Sequence, residues 1–193
     1  MEKDPVNQPC EMLLIGGSAG SLEVLFRLLP LLRPGLGLAI VIVLHRRSSG
    51  DSSLTELLGS KSVYPTREVE DKDFIAPGNI FLAPADYHLL IEKNHSFALD
   101  YSEKINYSRP SIDVTFESAA EIYGSSLAAL LLSGANEDGT SGLLAIKRSG
   151  GITAAQDPST ASMPFMPQHA ITHKAADHVF DIRQAADFIN NLV

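Results

Sequence analysis

The sequence predicts an α/β fold: a three-layer sandwich built on a doubly wound, mainly parallel sheet, with a small antiparallel hairpin. Short apolar segments typical of buried strands alternate with segments whose apolar residues recur at helical spacing. Two of the strand segments, 12–15 and 36–45, are apolar on both faces, as strands covered by helices on both sides must be. The consecutive segments "YHLLIE" and "SFALDY" instead predict a hairpin.

The first half of the chain predicts two buried strands, two helices and a group of short strands. After the first strand, residues 22–32 carry leucine and phenylalanine at helical spacing, and Pro30 is expected to end or kink that helix. The β-branched segment 36–45 is expected to be central in the sheet. A short helix is expected at Ser52–Leu58. Between Tyr64 and Tyr101, turn residues separate short apolar segments, which predicts several short strands.

The second half continues the alternation. Ser111–Tyr123 is predicted to be a helix with one apolar face, and "LAALLLSG" a buried strand because it is short and stops at a glycine. The remaining elements are expected in the following order: a helix at Leu143–Arg148, strands at "GITAAQ" and "DHVFDI", and a closing helix at Gln184–Leu192.

Composition narrows the class of protein. The 193 residues are 45% hydrophobic, enough for one domain with a sizeable core. A net charge of -8 without any basic block argues against nucleic acid or an anionic membrane as a partner. The single cysteine, Cys10, excludes an internal disulfide and fits a reducing compartment. The polar N-terminus does not resemble a signal peptide, and the longest apolar run is too short to cross a bilayer. We therefore expect a cytoplasmic protein that does not insert into membranes.

A serine lies among small residues where the first strand passes into a helix. The segment Gly16-Gly17-Ser18-Ala19-Gly20 matches the G-x-S-x-G pattern of a nucleophile elbow. In such an elbow a sharp turn exposes the serine oxygen, and the next backbone N–H can stabilise an oxyanion. The alternative is a glycine-rich turn in which Ser18 caps the helix. A phosphate-binding loop is disfavoured, because the dinucleotide-binding glycine pattern and a Walker lysine are both absent from the sequence.

Two further polar groups follow predicted strands. His45 ends the second strand, and Glu137 and Asp138 lie in the loop after "LAALLLS". Because the carboxyl ends of parallel strands share one edge of the sheet, Ser18, His45 and an acid could meet there. Histidine is the usual base for a serine nucleophile, and an acid then holds its other ring nitrogen. The sequence around this loop does not show whether Glu137 or Asp138 is the acid that holds the histidine. A surface histidine and an acidic helix cap remain the alternatives.

A pair of histidines raises the question of a metal site. His169 and His173 are four residues apart in a predicted helix, a spacing at which two imidazoles can share an ion. No glutamate follows His169 as it does in the H-E-x-x-H pattern. We expect neither a metal nor a cofactor.

Several segments resemble, in order, the catalytic domain of the chemotaxis protein-glutamate methylesterase (CheB) family, over nearly the whole chain. They are "IGGSAGSLE", "IVIVLH", "PGNIFLAPADYHLLIE", "SRPSIDVTFESAA", "LLLSGANEDGTSGLLAIKRSGG", "TAAQDPSTASMPFMP" and "HAI". The resemblance implies a triad of Ser18 as nucleophile, His45 as base and Asp138, rather than Glu137, as orienting acid. It also implies oxyanion donors near Ala19 and Ala135.

The implied activity is hydrolysis of glutamate γ-methyl esters on the cytoplasmic helices of methyl-accepting chemoreceptors, extending to deamidation of glutamines. The family's usual Ser-Thr-Gly-Gly is here Ser18-Ala19-Gly20-Ser21, and its Gly-Met-Gly is Gly134-Ala135-Asn136. We expect the receptor helix to dock on a rim around Ala135 and Met163–Met166, since methionine adapts to varied surfaces. The alternatives are a serine hydrolase acting on another ester or thioester, and a non-catalytic signalling module.

Members of that family commonly carry an N-terminal receiver domain. Only about ten residues precede the first predicted strand here. We therefore expect a loose tail at residues 1–10 and a methylesterase catalytic domain at 11–193 without a receiver domain. Its activity should then not respond to a phosphodonor.

Overall fold

The computed structural model describes residues 9–46 and 53–193. The strands in these ranges are β1 Met12–Gly17, β2 Ala39–Leu44, β3 Thr66–Glu68, β4 Ile80–Leu82, β5 His88–Ile91, β6 Phe97–Asp100, β7 Leu127–Leu131, β8 Ile152–Gln156 and β9 His178–Phe180. The α-helices are α1 Ser21–Leu28, α2 Ser53–Ser60, α3 Ile112–Tyr123, α4 Thr140–Arg148, α5 Phe165–Thr172 and α6 Ile182–Asn190.

Seven strands form one parallel sheet in the order β3-β4-β2-β1-β7-β8-β9. The chain starts in the middle with β1, places β2 beside it, forms the edge strand β3 and then β4 between β3 and β2, and finally adds β7, β8 and β9 on the other side. Strands β5 and β6 form a separate antiparallel hairpin. The predicted doubly wound sheet with a small hairpin is confirmed.

The sheet separates two hydrophobic cores. Leu13 and Ile15 of β1 belong to the core that α1 and α6 cover, whereas Met12 and Leu14 belong to the core under α3 and α4. All four side chains are fully buried. Each such side chain contributes about 1.5–3 kcal/mol by leaving water, which explains why the central strands are apolar at every position.

Several element boundaries differ from the prediction. Helix α1 ends at Leu28 and passes into a 3₁₀ turn that contains Pro30, as proline's missing N–H requires. Strand β2 begins three residues later than expected. Helix α6 begins at Ile182 rather than 184, because Asp181 forms a capping box with Gln184.

The N-terminal segment and the start of the second helix are only partly described. Of the predicted tail, residues 1–8 lie outside the described part, while Cys10 is buried and its amide donates to Leu192 O at 3.4 Å. Ser52, the first residue of a predicted helix, also lies outside it, and α2 is observed from Ser53. Within the described ranges, none of the helices combines the length and the apolar character that a membrane span requires.

Candidate active site

The carboxyl ends of β2, β1 and β7 lie side by side at one edge of the sheet. The register pairs Gly17 with the last residue of β2 and Gly16 with the last residue of β7, so the three strands end together. Backbone bonds continue past the strands. The His45 amide donates to Gly17 O at 3.1 Å, and the Ser18 amide donates to Ser133 O at 2.9 Å. Residues that follow these strands therefore share one edge, as expected.

The turn between β1 and α1 has room only for small residues. A Cβ on Gly17 would lie 2.1 Å from the Ser21 hydroxyl, and Gly20 has a φ of 84°, a left-handed conformation that favours glycine. Ser18 is half-buried and Ala19 is exposed. Helix α1 has Gly20 as its N-cap and no side-chain capping bond. The Ser18 side chain therefore does not cap α1, which was the alternative to a role as nucleophile.

His45 and Asp138 form a short hydrogen-bonded pair. His45 Nε2 lies 2.6 Å from Asp138 Oδ2; 10% of the histidine side chain is exposed, and the aspartate is fully buried. Glu137 points elsewhere: its side chain is exposed and its carboxylate lies 3.8 Å from His169 Nε2. The local sequence could not distinguish the two acids, but their contacts do, because only Asp138 is bonded to His45.

The Asp138 carboxylate is surrounded by donors. Besides His45 they are the Ile112 amide at 2.7 Å on Oδ2, and the Ser111 hydroxyl at 2.9 Å, the Asp113 amide at 3.0 Å and the Asn106 side-chain amide at 3.1 Å on Oδ1. Burial alone would raise the pKa of Asp138. The bonds from His45 and from the first amides of α3 outweigh that cost and lower the pKa to about 2. An ionised Asp138 requires Nε2 to carry the imidazole proton, which leaves Nδ1 free to accept one.

Ser18 follows β1, the strand next to the one that His45 follows. Within the described part of the chain, its hydroxyl makes no hydrogen bond to His45, so the expected Ser18–His45–Asp138 chain is formed only in its His45–Asp138 half. Catalytic hydrogen bonds are often long before substrate binds. A second serine, Ser111, reaches the acid directly, but it is buried and bonds to Asp138 instead of the imidazole. It supports the acid and cannot pass a proton to the base.

Comparison with known proteins identifies the family. The CheB methylesterase family model matches residues 13–189, most of the chain. This chain belongs to the CheB methylesterase family. The resemblance inferred from the motifs is thereby confirmed.

Individual relatives agree with the family match. A Leptospira interrogans protein, provisionally named a protein-glutamate methylesterase/protein-glutamine glutaminase, is 40% identical over 182 residues, which is 94% of each chain. A Thermotoga maritima protein with that same name is 34% identical over 186 residues, and the match spans 54% of its length. The crystal structure of the Thermotoga maritima CheB methylesterase catalytic domain superimposes with a TM-score of 0.91, at 35% identity and over 95% of this chain and 99% of that one.

A cavity of about 290 Å³ opens beside His45 in this CheB methylesterase domain. Its walls carry more positive than negative charge, from Arg46, Lys104, Arg109 and Asp86. Tyr107 and Ser108, from the segment before α3, also line it.

That rim differs from the expectation in one respect. Met163 and Phe165 are exposed, but Met166 is fully buried, so its predicted place on a docking surface is wrong. The cause is visible at Gly134, where a Cβ would lie 2.5 Å from the Met166 methyl group. Met166 fills the space under the loop that carries Ala135.

His169 of α5 and His173, the residue that follows this helix, take part in other contacts. The rings of Phe165, His169 and His173 follow one another along the helix, with centroids 5.7 and 4.0 Å apart, and His169 Nδ1 lies 2.9 Å from the Thr140 hydroxyl. In residues 9–46 and 53–193, no group of three or more His, Cys, Asp or Glu side chains is arranged to hold a metal ion.

Three residues that contact Asp138 were not predicted from the sequence. Ser111 and Asp113 lie at the start of α3, and Asn106 lies in the turn six residues before it. The serine three residues before Val114 is a visible N-cap signal, and Ser111 does accept the Val114 amide. Nothing local indicates that Asn106 and Asp113 turn toward a loop that follows another strand.

Proposed function

We propose that this domain hydrolyses glutamate γ-methyl esters, and deamidates glutamines, on the cytoplasmic helices of chemoreceptors. The observation that carries the proposal is the buried His45–Asp138 pair beside the Ser18 elbow, at the carboxyl ends of adjacent strands. Family membership and the names of the relatives supply the substrate class. The substrate assignment would place the reaction in the cytoplasm.

Ser18 Oγ attacks the ester carbonyl carbon, and its proton passes to Nδ1 of His45, the ring nitrogen that Asp138 leaves free. The tetrahedral intermediate carries negative charge on the former carbonyl oxygen. Ala19 N and Ala135 N suit that oxygen, because both residues are exposed and neither amide donates to an acceptor within the described residues.

The intermediate collapses as His45 returns the proton to the leaving oxygen, and methanol departs; a glutamine substrate releases ammonia instead. Water then attacks the Ser18 acyl-enzyme with His45 again as base, which frees the glutamate carboxylate. The cations Lys104 and Arg109 beside the site suit an anionic product. No metal or organic cofactor takes part in these steps.

The test is methanol release from a methylated chemoreceptor, with mass spectrometry of each modified peptide. Ser18→Ala should lower kcat by on the order of 10⁶-fold while the thermal unfolding midpoint stays near that of the wild type. Ser141→Ala, which removes an exposed hydroxyl on the first turn of α4, is the matched control and should keep full activity.

Two outcomes would contradict the proposal. Near-normal activity of Ser18→Ala would remove the serine from the mechanism. Hydrolysis of small p-nitrophenyl esters without any loss of receptor methyl groups would indicate an esterase with another substrate.

A further inference from the structure

Asp113 is buried next to the site, and no step of the reaction above uses it. Its Oδ1 accepts the Gly139 amide at 2.9 Å and the Gly142 amide at 2.7 Å. These amides begin α4, whose own N-cap, Gly139, has no side chain that could accept them. Asp113 therefore caps α4 from a different helix.

Asp138 in turn caps α3. It lies immediately before α4, and it accepts the Ile112 and Asp113 amides that begin α3. Each carboxylate thus caps the helix that begins at the other. We call this arrangement the cross-cap: the carboxylates of Asp113 and Asp138 with the amides of Ile112, Asp113, Gly139 and Gly142. A shift of the Asp113 carboxylate would disturb the start of α4, and a shift of the Asp138 carboxylate would disturb the start of α3.

A single side chain joins the two carboxylates. Asn106 Nδ2 donates to Asp138 Oδ1 at 3.1 Å and to Asp113 Oδ2 at 3.0 Å. The two acids repel each other: burial and then the charge of Asp138 raise the pKa of Asp113 to about 7. The partial positive charge of the amide between them offsets part of that repulsion. Asn106 has a φ of 50°, in the left-handed region that asparagine adopts more readily than most residues.

We propose that Asp113 is a positioning residue for the reaction: through the cross-cap and Asn106 it holds Asp138 in the orientation that keeps the proton on His45 Nε2. The inference rests on the proposed function, since it assigns Asp138 the role of orienting the base. A residue with only a structural role would change stability without changing the His45–Asp138 bond.

The experiment compares Asp113→Asn with Asp181→Asn. Both remove a capping carboxylate, but Asp181 caps α6 through the Gln184 amide and belongs to the capping box described above. Asp113→Asn keeps an oxygen for the α4 amides and loses the charge. We expect its kcat to fall about 10- to 100-fold with KM changed less than about two-fold, as for a group displaced by a fraction of an ångström. Asp181→Asn should keep both constants.

The second readout is the ring N–H proton of His45 in the ¹H NMR spectrum, which needs no substrate. Ser18→Ala should retain its protection from exchange, whereas Asp113→Asn should lose it. Asn106→Gly, which suits a left-handed φ, removes only the amide bridge. It should show the same two effects more weakly, and it decides the question if Asp113→Asn does not fold.

Wild-type protection of the His45 proton in Asp113→Asn, with a fall in kcat no larger than that of Asp181→Asn, would overturn the proposal. If the wild type releases no methanol, the proposed function fails. The ring proton then still decides whether Asp113 positions Asp138.

Discussion

Replacing Asp138 with asparagine perturbs a carboxylate that has donors on both oxygens. If the new NH₂ group takes the place of Oδ2, it faces the Ile112 amide and His45 Nε2. If it takes the place of Oδ1, it faces the Asp113 amide and two side-chain donors. In either orientation one backbone N–H at the start of α3 loses its acceptor.

The structure sets the size of the effect. One buried N–H without an acceptor costs about 1–3 kcal/mol. The pKa of Asp138 is about 2 rather than 3.8, so the contacts of the ionised form stabilise the fold by about 2 kcal/mol at neutral pH. Both figures describe the same donor bonds, so they are not added, and we expect Asp138→Asn to lower the free energy of unfolding by about 2–3 kcal/mol, which leaves a typical domain folded.

The loss of activity should be larger than the loss of stability suggests. With NH₂ in place of Oδ2, the new side chain donates to Nε2, so the imidazole proton moves to Nδ1. Nδ1 can then no longer accept the proton of Ser18, and a wrong tautomer of this kind costs on the order of 10⁴-fold in kcat.

Glu137→Gln is the control, because it changes the adjacent acid, which is exposed and lies 3.8 Å from His169. Its kcat should stay within about two-fold of the wild type. Methanol release gives kcat, and urea unfolding gives stability. A larger loss of activity in Glu137→Gln than in Asp138→Asn would show that the roles of the two acids are assigned in the wrong register.

Two further predictions concern stability. The folded protein raises the pKa of Asp113 to about 7, so the unfolded chain binds fewer protons and stability falls as pH rises. Between pH 5 and pH 8 the free energy of unfolding should drop by about 2–3 kcal/mol in urea titrations, and Asp113→Asn should remove most of that drop; an equal drop in the variant would contradict the assignment. In Gly142→Ala the new Cβ would lie 2.4 Å from Phe116 Cβ, which should destabilise the protein by about 1–3 kcal/mol in the same assay. Gly37→Ala, with no atom within 4 Å, should be neutral, and equal effects of the two substitutions would refute the packing argument.

The parts of the fold that could be predicted are those decided by apolar pattern. Strand β2 is apolar at every position because helices cover both faces of the sheet, and that pattern is visible without any tertiary information. The start of α4 could not be predicted in the same way. Its apolar pattern begins at Leu143, but the helix begins at Thr140 because Asp113, distant in sequence, caps it.

The same distinction separates the site residues that could be predicted from the sequence from those that could not. Ser18, His45 and an acid could be placed at one edge because parallel strands end together there. The choice of Asp138 over Glu137 depends on which carboxylate meets the first turn of α3, a contact between residues more than twenty positions apart. Local chemistry treats the two acids alike, so only the family motif pointed to Asp138 before the fold was known.

The helix starts around the site suggest why this edge suits the proposed chemistry. The first turn of α3 is neutralised by Asp138, and that of α4 by Asp113. Helix α1 differs, because its N-cap is Gly20 and it has no capping side chain. The starts of α3 and α4 therefore each have a buried carboxylate against their partial positive charge, whereas the start of α1 faces the Ser18 turn and the acidic residue of its first turn, Glu23, is exposed. Negative charge that develops on the substrate beside Ser18 would thus form next to the helix start whose charge is still available to stabilise it.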